Sequence, residues 1–375
     1  MLDEFLKELK EKYNYSDELM NAIRISIPVM VDTYGEDSIE EILNLFNNVR
    51  IFATDDMSSE NREKIRQEMI QGRNKNIEGE YSDPYCSSTI PGSYYSFEAI
   101  FDDNMDVIDE VKWLVVDENT YQAEGYKKIF GTTINIPYFL HELNHAFAMQ
   151  KPVYKKENNI LYTKHGMFED TYKIEGNKII PLNNTDVILE EMITELYTQR
   201  QLVKLLEKEN YKEVDAILSE IHHIKTSYIP TIITVAAILE ASLGKEMLTD
   251  YRKNNNLSVK EYFNSIANKS SIKDKYFKDI DAWDFISKKS FEIFQLTGDR
   301  LKYIKTETGP DGNLKVNIDP KYKELQVNLY EDALAPLYAF REFKKGDVNL
   351  EVYEKERNEH LESILGDTKQ QNKTK

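Results

Sequence analysis

The chain opens with a helical pattern of apolar positions. Along the first ten residues they recur at intervals of three and four, at Leu2, Phe5, Leu6 and Leu9. This spacing places them on one face of a helix. Further along, Ser38 followed by Glu41 fits a capping box, a signature of a helix start. The pattern predicts a helical region over residues 1–72, and this region carries no recognisable chemistry.

The pattern changes to alternation after a polar segment, Gly72–Gly92, whose glycines and prolines predict loop. Apolar and polar side chains alternate over Tyr95–Phe101, and Val111–Val116 is rich in strand-forming residues. A third segment, Lys128–Ile136, is also predicted as a strand. About three strands should therefore lead directly into the segment that follows.

That segment predicts a helix. Leu140, Leu143 and Phe147 form an apolar stripe, Pro137 suits a first helical position, and Pro152 lies just beyond the expected end.

Within this helix lies the sequence His141-Glu142-Leu143-Asn144-His145. The i, i+4 spacing brings the imidazoles of His141 and His145 onto one face, where both can reach one tetrahedral Zn²⁺. Glu142 lies beside them and can touch a water activated by the metal. The pattern therefore predicts a zinc site with its own base. The alternative is a helix with one buried and one exposed histidine.

The remainder of the chain predicts mostly helix. A hairpin turning at Gly176-Asn177 should precede a long helix that starts near Thr185 or Asp186 and ends near Glu209. From there to about Phe294 the pattern is predominantly helical. Residues 306–313 indicate a turn before a last helical stretch, and the polar tail, 366–375, is expected to be disordered.

A catalytic zinc ion needs a third protein ligand, and Glu191 is the best candidate in the long helix. Glu191 and Glu195 are i, i+4 and share a partly apolar face, whereas Glu190 points about 100° away. Replacement of Glu190 is therefore expected to have little effect. A metal bound by Glu191, with Glu195 accepting the spare ring N–H of a zinc histidine, would explain two carboxylates on such a face. The alternative is a solvated acidic face.

Composition restricts the partners. The chain has 375 residues and a net charge of −18, which disfavours nucleic acid and anionic membranes as partners.

The longest apolar stretch, Tyr228–Leu239, is too short to span a bilayer and predicts a core helix. Cys86 is the only cysteine, so no internal disulfide is expected. Because the first residues suggest an acidic amphipathic helix and not a secretion signal, the expected location is cytoplasmic.

The motif His141–His145 followed by Glu191-Met192-Ile193-Thr194-Glu195 resembles the gluzincin metallopeptidases, the thermolysin-like family. The resemblance covers residues 135–200. In that family the first helix carries two zinc histidines and the base, and a later helix carries the third ligand and an acid that supports a zinc histidine. The resemblance implies these last two roles for Glu191 and Glu195. Glu190 stands where thermolysin-like enzymes have Asn.

The resemblance also implies an α+β, predominantly helical fold. A zincin-like sheet lobe with the active-site helix would occupy residues 93–184, and a helical C-terminal lobe with the third zinc ligand would occupy residues 185–365. One Zn²⁺ per chain would support hydrolysis of a peptide or protein substrate, with Glu142 as general base.

The family uses a Tyr or His to stabilise the oxyanion. The candidates here are Tyr228, which we nominate because it begins the core helix, and four others: His165, Tyr197, His222 and His223.

Two other functions agree with the same residues. One is a non-catalytic, zinc-stabilised binding or regulatory protein with a peptidase-like fold, although the acid at Glu142 argues against it. The other is an intracellular peptidase that cleaves a single partner protein. The oligomeric state is not determined by the sequence.

Overall fold

The computed structural model describes residues 2–54, 60, 63, 94–101, 107–117, 123–176, 178–208, 230–254, 256–308 and 314–343. It is mostly helical, with strands in small sheets, which confirms the predicted α+β class at this level. Tyr228, His222, His223, Cys86 and the tail 366–375 lie outside the described residues.

The described residues form two compact units. The first falls within Met1–Val187, Thr194–Ile221 and Arg252–Asn255, and the second within Ile188–Ile193, His222–Tyr251 and Asn256–Lys375. The lobe boundaries predicted from the sequence remain a prediction.

The first unit begins with three helices and a strand: α1 (Leu2–Tyr13), α2 (Asp17–Tyr34), α3 (Ile39–Asn48) and β1 (Val49–Thr54). The predicted helical stripe is confirmed, because Leu6 and Leu9 are buried. The capping box is wrong: the Ser38 hydroxyl donates to the Gly35 carbonyl, and Glu41 forms an ion pair with Lys253. Strand β1 was not predicted.

A three-stranded sheet contains β1, β2 (Tyr94–Phe101) and β3 (Val107–Asp117), in the order β1-β3-β2. Strand β3 pairs parallel with β1 and antiparallel with β2. Both strands predicted from alternation are therefore present. Strand β2 is at an edge of this sheet among the described strands.

The predicted strand Lys128–Ile136 is wrong, because the chain forms helix α4 (Ala123–Phe130) followed by bends. Tyr126 and Phe130 are buried one turn apart, which fits a helix. The backbone after α4 is bonded to α2 and not to a sheet. The Asn21 amide donates to the Gly131 carbonyl at 2.7 Å, and the Thr133 N–H donates to Glu18 at 2.9 Å.

The predicted motif helix is α5 (Ile136–Ala148). Its first turn is fixed by Asn135, whose side-chain oxygen accepts from the Tyr138 N–H at 3.2 Å. Pro137 lies in this turn, as predicted. Nearly all of the helix is buried, so α5 forms the centre of the first unit's core.

A four-stranded antiparallel sheet follows: β4 (Val153–Lys155), β5 (Ile160–His165), β6 (Phe168–Glu175) and β7 (Lys178–Thr185), in that order. The β6–β7 hairpin was predicted, but β4 and β5 were not. A bridge between Met149 and His165 joins β5 to the end of α5. Asp186, at φ +58°, then turns the chain into α6 (Val187–Lys208) close to the predicted start.

The second unit is largely helical. Its helices are α7 (Pro230–Leu243), α8 (Lys245–Asn254, of which the residues from Arg252 on belong to the first unit), α9 (Ser258–Ala267), α10 (Ile272–Tyr276), α11 (Ala282–Gly298) and α12 (Pro320–Phe343), with the hairpin β8 (Ile304–Thr308) and β9 (Leu314–Ile318). Aromatic rings form its core: Trp283 packs edge-on against Tyr251 and Phe263, and Phe263 stacks on Phe340. Among the described residues, no helix has the length and apolar character needed to cross a membrane.

The pKa of Asp170 on β6 provides a test of the four-stranded sheet. Burial raises that pKa to about 6, although the Tyr172 hydroxyl donates to the carboxylate at 3.0 Å. The unfolded value is about 3.9. The folded protein therefore takes up the proton first as the pH falls, and the contribution of Asp170 to stability increases from pH 7 towards pH 4.

We therefore expect Asp170→Asn to be more stable than wild type at pH 7, by about 1–2 kcal/mol, with the difference disappearing near pH 4. Urea unfolding at several pH values measures it. The exposed Asp279, changed to Asn, is the control. An Asp170→Asn difference that does not change with pH would contradict the shifted pKa.

Candidate metal centre

Helix α5 brings the two imidazoles of the motif together. The Nε2 atoms of His141 and His145 are 3.2 Å apart, and the ring planes are nearly perpendicular at 78°. Two imidazole nitrogens bound to one tetrahedral zinc, each at about 2.0–2.1 Å, would lie about 3.3 Å apart. The spacing of the two rings is therefore compatible with a shared metal ion, as it is with a hydrogen bond between the two Nε2 atoms.

Glu195 on α6 fixes the tautomer of the first histidine. Its Oε2 atom lies 3.1 Å from Nδ1 of His141, and both side chains are buried. An ionised carboxylate can only accept hydrogen bonds, so Nδ1 carries the proton when Glu195 is ionised. The lone pair of Nε2 then points towards His145 and remains available to a metal.

Glu191, one turn before Glu195 on α6, completes a group of three metal-binding residue types. The ligand atoms of His141, His145 and Glu191 all lie within 4.8 Å of one another, and all three residues are buried. The alternative of a solvated acidic face is wrong, since Glu191 is 8% exposed and Glu195 is 5% exposed. This buried group could hold a metal ion.

The burial of Glu190 was not indicated by the sequence. The sequence placed it about 100° away from this face, yet it is only 1% exposed. Helix α6 is therefore buried around more of its circumference than an amphipathic pattern indicates. Replacement of Glu190 is now expected to lower the stability of the fold, whatever its effect on metal binding.

The side of α5 that carries Asn144 is bonded to α6 through side-chain amides. Asn144 and Gln201 donate to each other, at 2.9 and 3.1 Å, and Asn144 also donates to the Thr198 hydroxyl at 3.2 Å. The Tyr34 hydroxyl donates to the same Asn144 at 2.9 Å. These bonds fix the rotation of α5 relative to α6, and with it the direction in which His141 and His145 point.

Glu142 is on α5 between the two histidines in sequence. It is half-buried, whereas both histidines are buried. The structure places Glu142 on the helix of the two histidines, and its role as a base stays a prediction.

Two of the oxyanion candidates fall in the described residues, and both have packing contacts. The Tyr197 ring packs edge-on against Tyr34 and lies under the Arg252 guanidinium at 5.2 Å. The His165 ring stacks on Phe168 at 5.8 Å. Neither contact points to a catalytic role, and Tyr228, His222 and His223 lie outside the described residues.

Two residues near the centre were not found from the sequence. The Thr194 hydroxyl lies 3.5 Å from Nδ1 of His145, and Nη2 of Arg252 donates to that hydroxyl at 2.9 Å. Thr194 has a weak signal, since it lies within the Glu191–Glu195 turn of α6. Arg252 has none, since it is 58 residues further along the chain.

Comparison of the chain with protein-family models, with curated proteins and with solved structures gives no match. The candidate role of the site therefore rests on its own residues.

The first prediction from this geometry concerns the histidines. His141→Ala and His145→Ala should each lose the metal ion, because each removes one of three buried ligands. Metal content of the purified protein, by elemental analysis, measures it. Full retention of metal by both variants would place the site elsewhere.

The acids of α6 provide a second test of the metal centre. We expect Glu191→Gln to abolish tight binding, and Glu195→Gln to weaken it by about 10- to 100-fold, because only the first removes a ligand atom. Glu207→Gln, exposed on the same helix, is the matched control. Metal titration against a chelator gives the affinities. Equal losses for Glu191→Gln and Glu207→Gln would exclude Glu191 as a ligand.

Proposed function

We propose that this protein is a zinc-dependent metallopeptidase of the gluzincin type, with a zincin-like lobe that contains α5 and the sheet β1-β3-β2. The observation that carries the proposal is the 3.2 Å separation of the His141 and His145 Nε2 atoms, with Glu142 on the same helix.

Zinc is the metal that this set of ligands favours. Two imidazoles and one carboxylate suit Zn²⁺, whereas Ca²⁺ and Mg²⁺ prefer oxygen ligands alone. Three protein ligands are also the number found in catalytic zinc sites, and one coordination position is then left for substrate or water. We expect one Zn²⁺ per chain, held by His141, His145 and Glu191.

The bound ion would supply a Lewis acid that polarises the scissile carbonyl. Glu142 accepts the proton of the attacking water and delivers it to the leaving amine, which departs as the C–N bond breaks. Glu195 keeps the proton of His141 on Nδ1 and so holds that ring in its binding orientation. Buried α5 and α6 exclude bulk water from the side of the histidines.

A peptide is the substrate class that the neighbouring sheet supports. Strand β2 packs against α5 and is at the edge of its sheet among the described strands. The free edge of such a strand can pair with an extended peptide through backbone hydrogen bonds. A peptide bound there would lie next to the helix that carries Glu142.

The test separates catalysis from metal binding. Glu142→Gln removes the base but no ligand, so we expect unchanged zinc content and turnover at least about 100-fold lower. A peptide-library screen of the wild type identifies a cleaved sequence. Rates of wild type, Glu142→Gln and the control Glu207→Gln are then compared at equal zinc occupancy.

Equal rates for wild type and Glu142→Gln would assign the cleavage to a contaminant or to another base. A wild type that binds zinc but cleaves no peptide would instead favour the non-catalytic, zinc-stabilised binding protein.

A further inference from the structure

Arg252 is a buried cation close to the candidate metal centre. It is 0% exposed, and its guanidinium lies over the Tyr197 ring. Removing a guanidinium from water costs several kcal/mol unless its contacts compensate. The contacts that Arg252 makes must therefore compensate for this cost.

One contact leads to the second histidine. Nη2 of Arg252 donates to Thr194 Oγ1 at 2.9 Å, and that oxygen lies 3.5 Å from Nδ1 of His145. Since a guanidinium can only donate, Thr194 must accept from it, which fixes the position of the hydroxyl. The hydroxyl keeps one lone pair and its own proton, so it can bond to Nδ1 of His145 whether or not Nδ1 carries the proton. The distance of 3.5 Å between Thr194 and His145 is at the limit for a hydrogen bond. The hydroxyl therefore contributes more to the placement of the His145 ring than to bond energy.

A second contact leads to the residue before His145. Nη1 of Arg252 donates to the Tyr34 hydroxyl at 3.4 Å, and that hydroxyl donates to Asn144 at 2.9 Å. One guanidinium therefore reaches α5 by two routes, one through Thr194 to the His145 ring and one through Tyr34 to the neighbouring Asn144. The two routes hold both the ring and its helix.

The end of α8, which belongs to the first unit, is held there by contacts that do not involve the guanidinium. Gln150, just beyond α5, donates to the Arg252 carbonyl at 3.1 Å. Lys253 forms an ion pair with Glu41 and lies over the Phe147 ring at 4.8 Å. Replacing the Arg252 side chain therefore leaves these attachments intact, which makes a test feasible.

We propose that Arg252 is a positioning residue of the metal centre: through Thr194 it sets the orientation of the His145 imidazole, so that Nδ1 lies beside the Thr194 hydroxyl and Nε2 faces the metal site. The two histidines are then oriented by different chemistry. His141 is held by the carboxylate of Glu195, and His145 by a hydroxyl whose place is fixed by a cation. This role rests on the metal binding in the proposed function, but not on peptide hydrolysis.

Thr194 is the direct test. Thr194→Val keeps the shape and removes the hydroxyl, whereas Thr194→Ser keeps the hydroxyl. In the full-length chain we expect Thr194→Val to bind Zn²⁺ about 10- to 100-fold more weakly, measured by competition with a chelator. Thr194→Ser should stay within about threefold of wild type. The visible spectrum of added Co²⁺ should change for Thr194→Val and not for Thr194→Ser, because it reports the ligand geometry.

The route from Arg252 is tested by a double-mutant cycle. Arg252→Met should weaken Zn²⁺ binding in the wild-type background, but much less in the Thr194→Val background, because the hydroxyl that it positions is absent. Lys245→Met, which removes an exposed cation at the start of the same helix, is the control and should bind metal as wild type does. Circular dichroism checks the fold of each variant.

Unchanged Zn²⁺ affinity and Co²⁺ spectrum for Thr194→Val would overturn the proposal. So would an Arg252→Met effect of equal size in both backgrounds, since Arg252 would then act by another route. Should Arg252→Met fail to fold, the Thr194→Val and Thr194→Ser comparison decides alone. A wild type that binds neither Zn²⁺ nor Co²⁺ would overturn the metal site itself, and this role with it.

Discussion

The constraint on which the first unit depends is the burial of polar groups where α5 meets the Thr194–Gln201 part of α6. Imidazoles, carboxylates and amides removed from water need partners, because each one left unpaired costs about 1–3 kcal/mol and a charge costs more. The pairs His141–Glu195 and Asn144–Gln201 meet this requirement on α5 and α6. Since each pair has its own geometry, together they allow only one register and rotation of the two helices.

The same requirement explains why the site is suited to a metal. Three acids of α6, at positions 190, 191 and 195, have low exposure, so their ionised forms would place negative charge in the interior of the protein. A divalent cation at His141, His145 and Glu191 would compensate much of it, and buried Arg252 adds a further positive charge near Thr194. Metal binding and folding are therefore expected to be coupled.

Much of the fold follows from local pattern. Helices α1, α5 and α6, strands β2 and β3 and the β6–β7 hairpin agree with the sequence, because periodicity and turn residues report which side of a segment is buried. The segment Lys128–Ile136 does not follow. Its strand-forming residues lie in a helix end and in bends whose backbone is bonded by Glu18 and Asn21, more than a hundred residues earlier. Long-range bonds of this kind leave no local pattern.

The sequence by itself determined the two imidazoles and the carboxylates of the candidate site. A helix converts i, i+4 spacing directly into a shared face, so His141 with His145 and Glu191 with Glu195 needed no knowledge of the fold. Only the tertiary structure decided that Glu195 pairs with His141 and which side chains lie beside His145. Thr194 and Arg252 reach His145 because α6 and the end of α8 pack beside α5, and contacts between residues far apart in the chain depend on packing and not on spacing.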